Sequence, residues 1–505
     1  MNPGRVYLVG AGPGDPGLLT LRGREVLGKA DVVVYDALVS PRILDYAPEW
    51  AERVYVGKRS SQHTLSQEGI NELLVDRARG GATVVRLKGG DPYVFGRGGE
   101  EALALVEAGI AFEVVPGVTA AVAAAAYAGI PVTHRELAST LTLVTGHEAD
   151  DKADSAIDWE SLARLKGTLA FYMGVANLPT IAANLMQHGL GGDTPAAAVQ
   201  WGTTPQHKTV AATLATLPEA VVRAHLEAPA VVLVGEVVRL RGQLGWFEQR
   251  PLLGRRIVVT RSRAQASALV ARLEALGAET LEAPAIRIRP PEDPAALRQA
   301  IRDDVLFDWI VFTSTNGVDA YFAALAEVGL DARGLAGGRI AAIGPATAAR
   351  LAEHGIRADL QPEQFTGAAV AEALAATGHL AGASVLLPRA DIAPTELCEA
   401  LAARGAKVRE VVAYRTVPDT AGSEVVARAM ERHDVDWLTF TSSSTVRNFL
   451  DAVRADRVRR SGARIASIGP TTSATLREAG LEPTVEAAAH TIPGLVDAIV
   501  GAGNV

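Results

Sequence analysis

Residues 10–22 read G-A-G-P-G-D-P-G-L-L-T-L-R. An apolar run, Val6–Val9, precedes them, and a helical pattern, Leu18–Leu27, follows. Strand, glycine loop and helix in that order are the setting of dinucleotide sites in α/β layers. Two residues depart from the dinucleotide fingerprint. After Gly10 and Gly12, the third glycine of G-x-G-x-x-G belongs where Asp15 stands, and a carboxylate there would meet the pyrophosphate. Pro13 removes a backbone N–H, the group such loops offer to phosphate. The loop therefore admits close approach to the main chain, but not by a diphosphate.

The chain has 505 residues, too many for one core, so about two to four domains are expected. With 48% hydrophobic and 21% charged residues it has a globular balance. Aromatics are only 5%, while Ala, Val, Leu and Gly dominate, which favours α/β layers with Val-rich parallel strands over sandwiches or barrels. A net charge of −8 argues against a general nucleic-acid binder. The single cysteine, Cys398, excludes an intrachain disulfide framework and a cysteine cluster for metal. No run of 18 apolar residues suggests a membrane span, and Met1–Arg5 has no signal-peptide pattern, so a cytoplasmic location is expected.

Up to about residue 240, short apolar runs alternate with helical patterns. The strand candidates are Arg5–Val9, Asp31–Tyr35, Arg53–Val56, Thr83–Leu87, Phe112–Val115, Leu141–Thr145, Thr168–Tyr172, Ala196–Gln200 and Ala230–Val234. Helices are expected at Leu18–Leu27, Gln67–Arg79, Gly99–Ala108, Ala120–Tyr127 and Leu178–His188. A polar stretch, Arg241–Gly254, marks a boundary, after which a new strand begins at Arg256. The second half contains a duplication. Asp308–Phe322, D-W-I-V-F-T-S-T-N-G-V-D-A-Y-F, matches Asp436–Leu450, D-W-L-T-F-T-S-S-S-T-V-R-N-F-L. Each copy is followed by a second match, R-I-A-A-I-G-P-A-T at Arg339–Thr347 and R-I-A-S-I-G-P-T-T at Arg464–Thr472. Two similar lobes would leave a cleft between them, a favoured place for a ligand.

Several strand ends carry groups with chemistry. Val84–Glu101 reads V-V-R-L-K-G-G-D-P-Y-V-F-G-R-G-G-E-E. Asp91 at a strand's carboxyl end suits a ribose hydroxyl or a cation, and equally a tight Gly-Gly-Asp-Pro turn. Because this loop and Gly10–Arg22 leave neighbouring strand candidates, the ligand reading is preferred. Thr119 in P-G-V-T-A-A-V is a natural helix N-cap. Asp36 in V-V-V-Y-D-A-L-V is either a turn residue or a general base, and Lys58 in V-Y-V-G-K-R a solvated charge or a functional cation. Arg22, Lys58, Arg59, Arg86, Lys88, Arg97, His134 and Arg135 are cations at loops and strand ends of a net-acidic chain, which suggests an anionic small substrate. In the second half, Thr313–Gly317, Thr441–Thr445, Gly344–Thr347 and Gly469–Thr472 are anion-binding loops in type, and helix caps as well. Arg389 and Tyr414 lie just past strand candidates.

These motifs, with V-Y-D-A-L-V, V-G-K-R, A-G-I-P-V-T-H-R, V-T-G-H and Y-M-G, closely resemble uroporphyrinogen-III C-methyltransferase over residues 1–245. Residues 252–505 resemble uroporphyrinogen-III synthase through F-T-S-T-N-G-V, A-I-G-P-A-T, L-L-P-R-A, Y-R-T, F-T-S-S-S-T-V and S-I-G-P-T-T. The resemblance implies an α/β chain, a two-lobed tetrapyrrole methyltransferase fold followed by a two-lobed synthase fold of similar parallel lobes. It implies closure of hydroxymethylbilane with inversion of ring D, then two methyl transfers from S-adenosyl-methionine to give precorrin-2 for siroheme or cobalamin. A later corrin intermediate, with an inactive or regulatory synthase-like half, is the alternative. S-adenosyl-homocysteine would be the by-product and no metal is implied.

Carried over by motif, the cofactor contacts would be Pro13, Gly89, Gly90, Asp91, Val94, Thr119, Ala120, Met173 and Gly202. Asp36 would accept a proton, and Lys58 would donate one or anchor a substrate carboxylate. Arg22 and Arg97 would bind substrate in the first half, and Ser314, Asn316, Ser442, Ser443 and Thr472 in the second. Tyr414 would assist departure of hydroxide. The partners implied are tetrapyrroles, with no nucleic acid or membrane, and a second copy of the chain through the methyltransferase half. Lacking the dehydrogenase module of trifunctional siroheme synthases ahead of residue 5, the chain is expected to stop at precorrin-2.

Overall fold

A computed structural model of the chain describes residues 4–57, 65–147, 157–260, 263–283, 286–303, 307–418 and 420–503. Two compact units emerge. One comprises Met1–Arg256 with Arg272–Glu279 and Gly503–Val505, the other Ile257–Ala271 with Thr280–Ala502. No helix among the described residues is long and apolar enough to cross a membrane.

The first unit begins with β1 (Arg5–Gly10), β2 (Val32–Tyr35), β3 (Glu52–Tyr55), β4 (Thr83–Lys88) and β5 (Ala111–Val115). They form one sheet, in the order β3-β2-β4-β1-β5, and every neighbouring pair is parallel. Both faces are covered, which is why these strands read as apolar runs rather than as alternation. Val9, Val33, Val85 and Leu87 pack on one face, and Val6, Leu8, Val34 and Val84 on the other. All the first-half strands read from sequence are present, shifted by at most a residue or two.

A second sheet joins β6 (Leu141–Thr145), β7 (Thr168–Tyr172), β8 (Pro195–Gln200), β9 (Lys208–Thr213) and β10 (Ala230–Val234) in the order β6-β7-β10-β8-β9. Here the parallel expectation fails. Only β6 and β7 run parallel, and the other three pairs are antiparallel. The edge strand β9 was not foreseen. None of its residues is fully buried, so K-T-V-A-A-T carries no clear inside–outside alternation. The helix expected over Leu18–Leu27 is also broken. A 3₁₀ turn spans Pro16–Leu18, and the helix proper, Leu21–Leu27, starts where Thr20 Oγ1 accepts the Gly23 N–H at 3.0 Å.

The second half builds two further sheets. β11 (Arg256–Val259), β12 (Glu279–Glu282), β18 (Trp437–Phe440), β19 (Arg464–Ser467) and β20 (Val485–Glu486) follow the order β12-β11-β18-β19-β20. β13 (Ile286–Arg289), β14 (Trp309–Phe312), β15 (Arg339–Ala342), β16 (Ser384–Ala390) and β17 (Lys407–Pro418) follow β13-β17-β16-β14-β15, with only β13 antiparallel to its neighbour. The duplication is structural in detail. Trp309 pairs with Arg339, whose guanidinium lies 5.6 Å from the indole centroid, and Trp437 pairs with Arg464 at 5.5 Å. The helices Thr315–Glu327 and Ser443–Val453 start on the serines Ser314 and Ser442, while Pro345–Glu353 and Pro470–Glu478 start on the glycines Gly344 and Gly469.

Candidate active site

The carboxyl ends of β1, β4 and β5 turn into loops that cross at three glycines. A Cβ on Gly10 would sit 2.5 Å from the Gly117 nitrogen, and one on Gly117 would sit 2.3 Å from the Gly90 carbonyl. Gly12 and Gly90 exchange two backbone hydrogen bonds, Gly12 N–H to Gly90 O at 3.1 Å and Gly90 N–H to Gly12 O at 2.7 Å. Only glycine permits main chains from three places in the sequence to meet this closely. Beside the crossing is a cavity of about 650 Å³. Pro13, Gly89, Gly90, Asp91, Val94, Thr119, Ala120, Met173 and Gly202 all line it, as do Asp36 and Arg97. Arg22 does not. Its exposed guanidinium is bidentate to Glu113 at 2.9 Å and bonds Glu25 as well. Lys58 lies outside the described residues.

The two departures from the dinucleotide pattern acquire local reasons. Asp15 Oδ1 accepts from Gly17 N–H at 2.7 Å and caps the 3₁₀ turn, while Oδ2 accepts from the Tyr127 hydroxyl at 2.7 Å. Pro13 is part of the cavity wall. Asp91 is likewise engaged by its own loops, Oδ1 with Tyr93 N–H at 2.8 Å and Oδ2 with Gly117 N–H at 3.1 Å. Thr119 stands at the N-cap of the helix Ala120–Tyr127, yet its side chain makes no capping bond. Instead the Tyr172 hydroxyl accepts the Ala121 N–H at 2.8 Å and lies 2.5 Å from Thr119 Oγ1.

Part of the lining is apolar: Ala120, Ala124, Val199, Val231 and Met173. Part of it is charged. Arg86 and Lys88 alternate with apolar residues on β4, so both take the Val84 face. They are 4% and 3% exposed. Both bond one oxygen of Glu101, Arg86 Nε at 3.0 Å and Lys88 Nζ at 2.9 Å, and Glu101 is completely buried. Arg86 Nη2 lies 3.5 Å from Asp36 Oδ2, and its Nη1 donates to the Val34 and Leu87 carbonyls. Burial, and then Arg86, push the Lys88 ammonium below its usual range despite Glu101. Four of the eight described non-glycine residues with positive φ, namely Phe95, Arg97, Met173 and Trp201, line this cavity. Backbone held in that region concentrates at ligand sites.

Glu101, Tyr172 and Gln67 were not singled out from the sequence. The available signal was V-V-R-L-K: two cations on one face of a central strand require a buried carboxylate.

In the second half, Tyr414 is 8% exposed and its hydroxyl lies 2.9 Å from Ser314 Oγ, which also accepts from Gly317 N–H at 3.0 Å. Asn316 stands in the first turn of the same helix, half-buried. In the other lobe Ser442 forms a reciprocal capping box with Thr445. Ser443 Oγ donates to the Thr471 carbonyl at 3.2 Å and accepts from Thr475 Oγ1 at 2.8 Å, and Thr472 is 4% exposed. The structure thus joins Ser314 to Tyr414 directly and commits the hydroxyls of Ser442 and Ser443 to helix starts.

The family model of tetrapyrrole (corrin/porphyrin) methylases matches residues 5–218, and that of uroporphyrinogen-III synthase matches residues 267–497. The porphyrin biosynthesis protein HemD of Ruminiclostridium josui is 39% identical over 508 residues, spanning 100% of both chains. The uroporphyrinogen-III C-methyltransferase of Priestia megaterium is 55% identical over 235 residues, 46% of this chain and 98% of that one. Among solved structures, uroporphyrin-III C-methyl transferase from Thermus thermophilus, complexed with S-adenyl homocysteine, is 44% identical, with a TM-score of 0.41 over 47% of this chain and 100% of that one.

Proposed function

The chain belongs to the family in which a tetrapyrrole methylase precedes a uroporphyrinogen-III synthase, and from that premise we propose that it performs both reactions in series. The second half closes hydroxymethylbilane to uroporphyrinogen III, inverting ring D. The first half methylates that product twice, on rings A and B, to give precorrin-2. We place the division between residues 245 and 252.

The observation that carries the methyl-transfer reading is the cavity beside the glycine crossing. Its loops offer main chain without side chains, and its apolar residues suit an adenosyl thioether, while no phosphate-binding set of N–H groups is needed. S-adenosyl-methionine, when bound, supplies a methyl group on a cationic sulfur. Pro13, Gly90, Ala120, Met173 and Gly202 would hold it. Methylating a ring carbon leaves one proton to be lost, and Asp36 is the carboxylate in the cavity placed to take it, with Arg86 beside it at 3.5 Å. Arg97 would receive the substrate's acetates and propionates. In the second half, Tyr414, held by Ser314, would donate its hydroxyl proton to the departing hydroxide, and Asn316, Ser442, Ser443 and Thr472 would orient carboxylates. Pairing of two copies through the first half, and a cytoplasmic location, complete the proposal.

The test is direct. Purified protein given hydroxymethylbilane and S-adenosyl-methionine, without NAD, should yield precorrin-2. Accumulation of uroporphyrin I, the uncatalysed product, would refute the synthase assignment. S-adenosyl-homocysteine rather than NAD should raise the melting temperature, because a ligand of the folded state stabilises it.

A further inference from the structure

Glu101 is fully buried, does not line the cavity, and has no part in the reaction as described so far. It lies in the first turn of the helix Gly98–Glu107, whose positive end favours a carboxylate. One of its oxygens receives three donors: Arg86 Nε at 3.0 Å, Lys88 Nζ at 2.9 Å and Gln67 Nε2 at 3.4 Å. Gln67 is itself fixed by Asn71 at 3.0 Å, from the start of a second helix. The other oxygen has no hydrogen-bond partner among the described residues. A strand face that carries apolar Val84 thus ends in two cations and one carboxylate taken out of water. A fold seeking only stability would do as well with apolar residues there, since buried ion pairs seldom repay their desolvation.

The arrangement has a consequence for Asp36. Arg86 spans the two carboxylates, with Nε on Glu101 and Nη2 toward Asp36. Without Glu101, Asp36 would face two uncompensated cations, Arg86 and Lys88, which would hold it ionised and make it a poor proton acceptor. With Glu101 ionised the four groups sum to no net charge, and a proton arriving on Asp36 leaves a single positive charge. The other titratable groups lining the cavity are Asp91, Arg97, His147 and Tyr172. Of these, Asp91 is held by backbone N–H groups and Arg97 is paired with Glu100 at 2.9 Å.

We propose that Glu101 is a positioning residue for methyl transfer: it aims Arg86 at Asp36 and offsets the charge that Arg86 and Lys88 bring beside that carboxylate. The inference rests on the methyl-transfer reading above. It is tested on the full chain through the pH profile of kcat. Glu101→Gln should lower kcat for methyl transfer about 10- to 100-fold. It should also move the acid limb of the profile down by about one pH unit. Glu101→Asp, which keeps the charge, should leave the limb in place. The double variant Lys88→Met with Glu101→Gln removes one charge of each sign and should restore the limb even if both single variants fold poorly. A limb unmoved in folded Glu101→Gln, or unmoved between it and the double variant, would overturn the inference. Absence of methyl transfer by the wild-type chain would overturn the underlying reading instead.

Discussion

Asp36 and Tyr414 are the two side chains on which the proposed chemistry turns. Asp36 has Arg86 at 3.5 Å, and its Oδ1 also accepts the Leu38 N–H at 3.1 Å. Asp36→Asn keeps that turn but removes the proton acceptor. Methyl transfer should fall by about 10²- to 10⁴-fold while cyclisation stays unchanged. Separate assays of the two steps check this, and an unchanged methylation rate would remove Asp36 from the mechanism. Tyr414→Phe deletes the hydroxyl 2.9 Å from Ser314 Oγ and should do the reverse, slowing cyclisation by about 10- to 100-fold without touching methylation. A shift of product toward uroporphyrin I in that variant is the diagnostic result.

At the scale of elements, the loops after β1, β4 and β5 act as one unit because glycine lets them touch. Gly117→Ala places a carbon 2.3 Å from the Gly90 carbonyl and 2.7 Å from the Gly10 Cα, both main chain that cannot swing aside. The expected cost is about 1–3 kcal/mol of stability. Calorimetric affinity for S-adenosyl-homocysteine should drop at least tenfold as the loops separate, and wild-type affinity in folded Gly117→Ala would show that the crossing does not shape the site. Elements of this kind were the legible part of the sequence. Continuous Val-rich runs marked the first sheet because that signal is local, whereas the Thr20 cap that starts the helix Leu21–Leu27 was not read from the sequence. Strand direction was not legible. Whether β10 lies parallel or antiparallel to β7 depends on the path of the intervening chain, and no residue within V-V-L-V encodes it. All nine residues carried over by motif as cofactor contacts line the cavity, whereas Glu101, outside the lining, was not singled out, because it acts by facing β4 across the fold rather than through its own neighbours in sequence.

One contact in the first unit contributes to its stability toward acid. Trp246 and Phe247 lie against Tyr127, and Arg241 pairs with Glu248, whose carboxylate lies 3.1 Å from His207 Nε2. Burial alone would raise the Glu248 carboxyl, but the polar groups of His207, Thr209 and Arg241, the last hydrogen-bonded to it, outweigh it and bring it from 4.5 to about 2. A folded-state value below the unfolded one means stability that is present above about pH 4.5 and is lost as pH falls toward 2. The carboxylate is partly exposed, so its share is about 1–2 kcal/mol. Glu248→Gln should lower the denaturant midpoint of the first unit at pH 7 and leave it nearly unchanged at pH 2. Equal loss at both pH values would show that the contact acts by packing alone. The duplicated lobes of the second half offer a comparison at the same scale. They share Trp–Arg stacks, serine caps and glycine helix starts, yet Ser314 meets a tyrosine hydroxyl and Ser442 meets Ser444 and Thr445. The two copies thus differ in the hydroxyl that each capping serine meets.

The glycine crossing has a bearing on how such a cavity changes over time. Gly12, Gly89 and Gly90 give the wall its main chain, while Gly10 and Gly117 hold the crossing behind it. Elsewhere the wall is side chain, at Asp36, Arg86 and Lys88, where a single codon rewrites charge and reach. An added carbon at Gly10 or Gly117 would force the loops apart, so this part of the site depends on backbone geometry, whereas its charge depends on side chains.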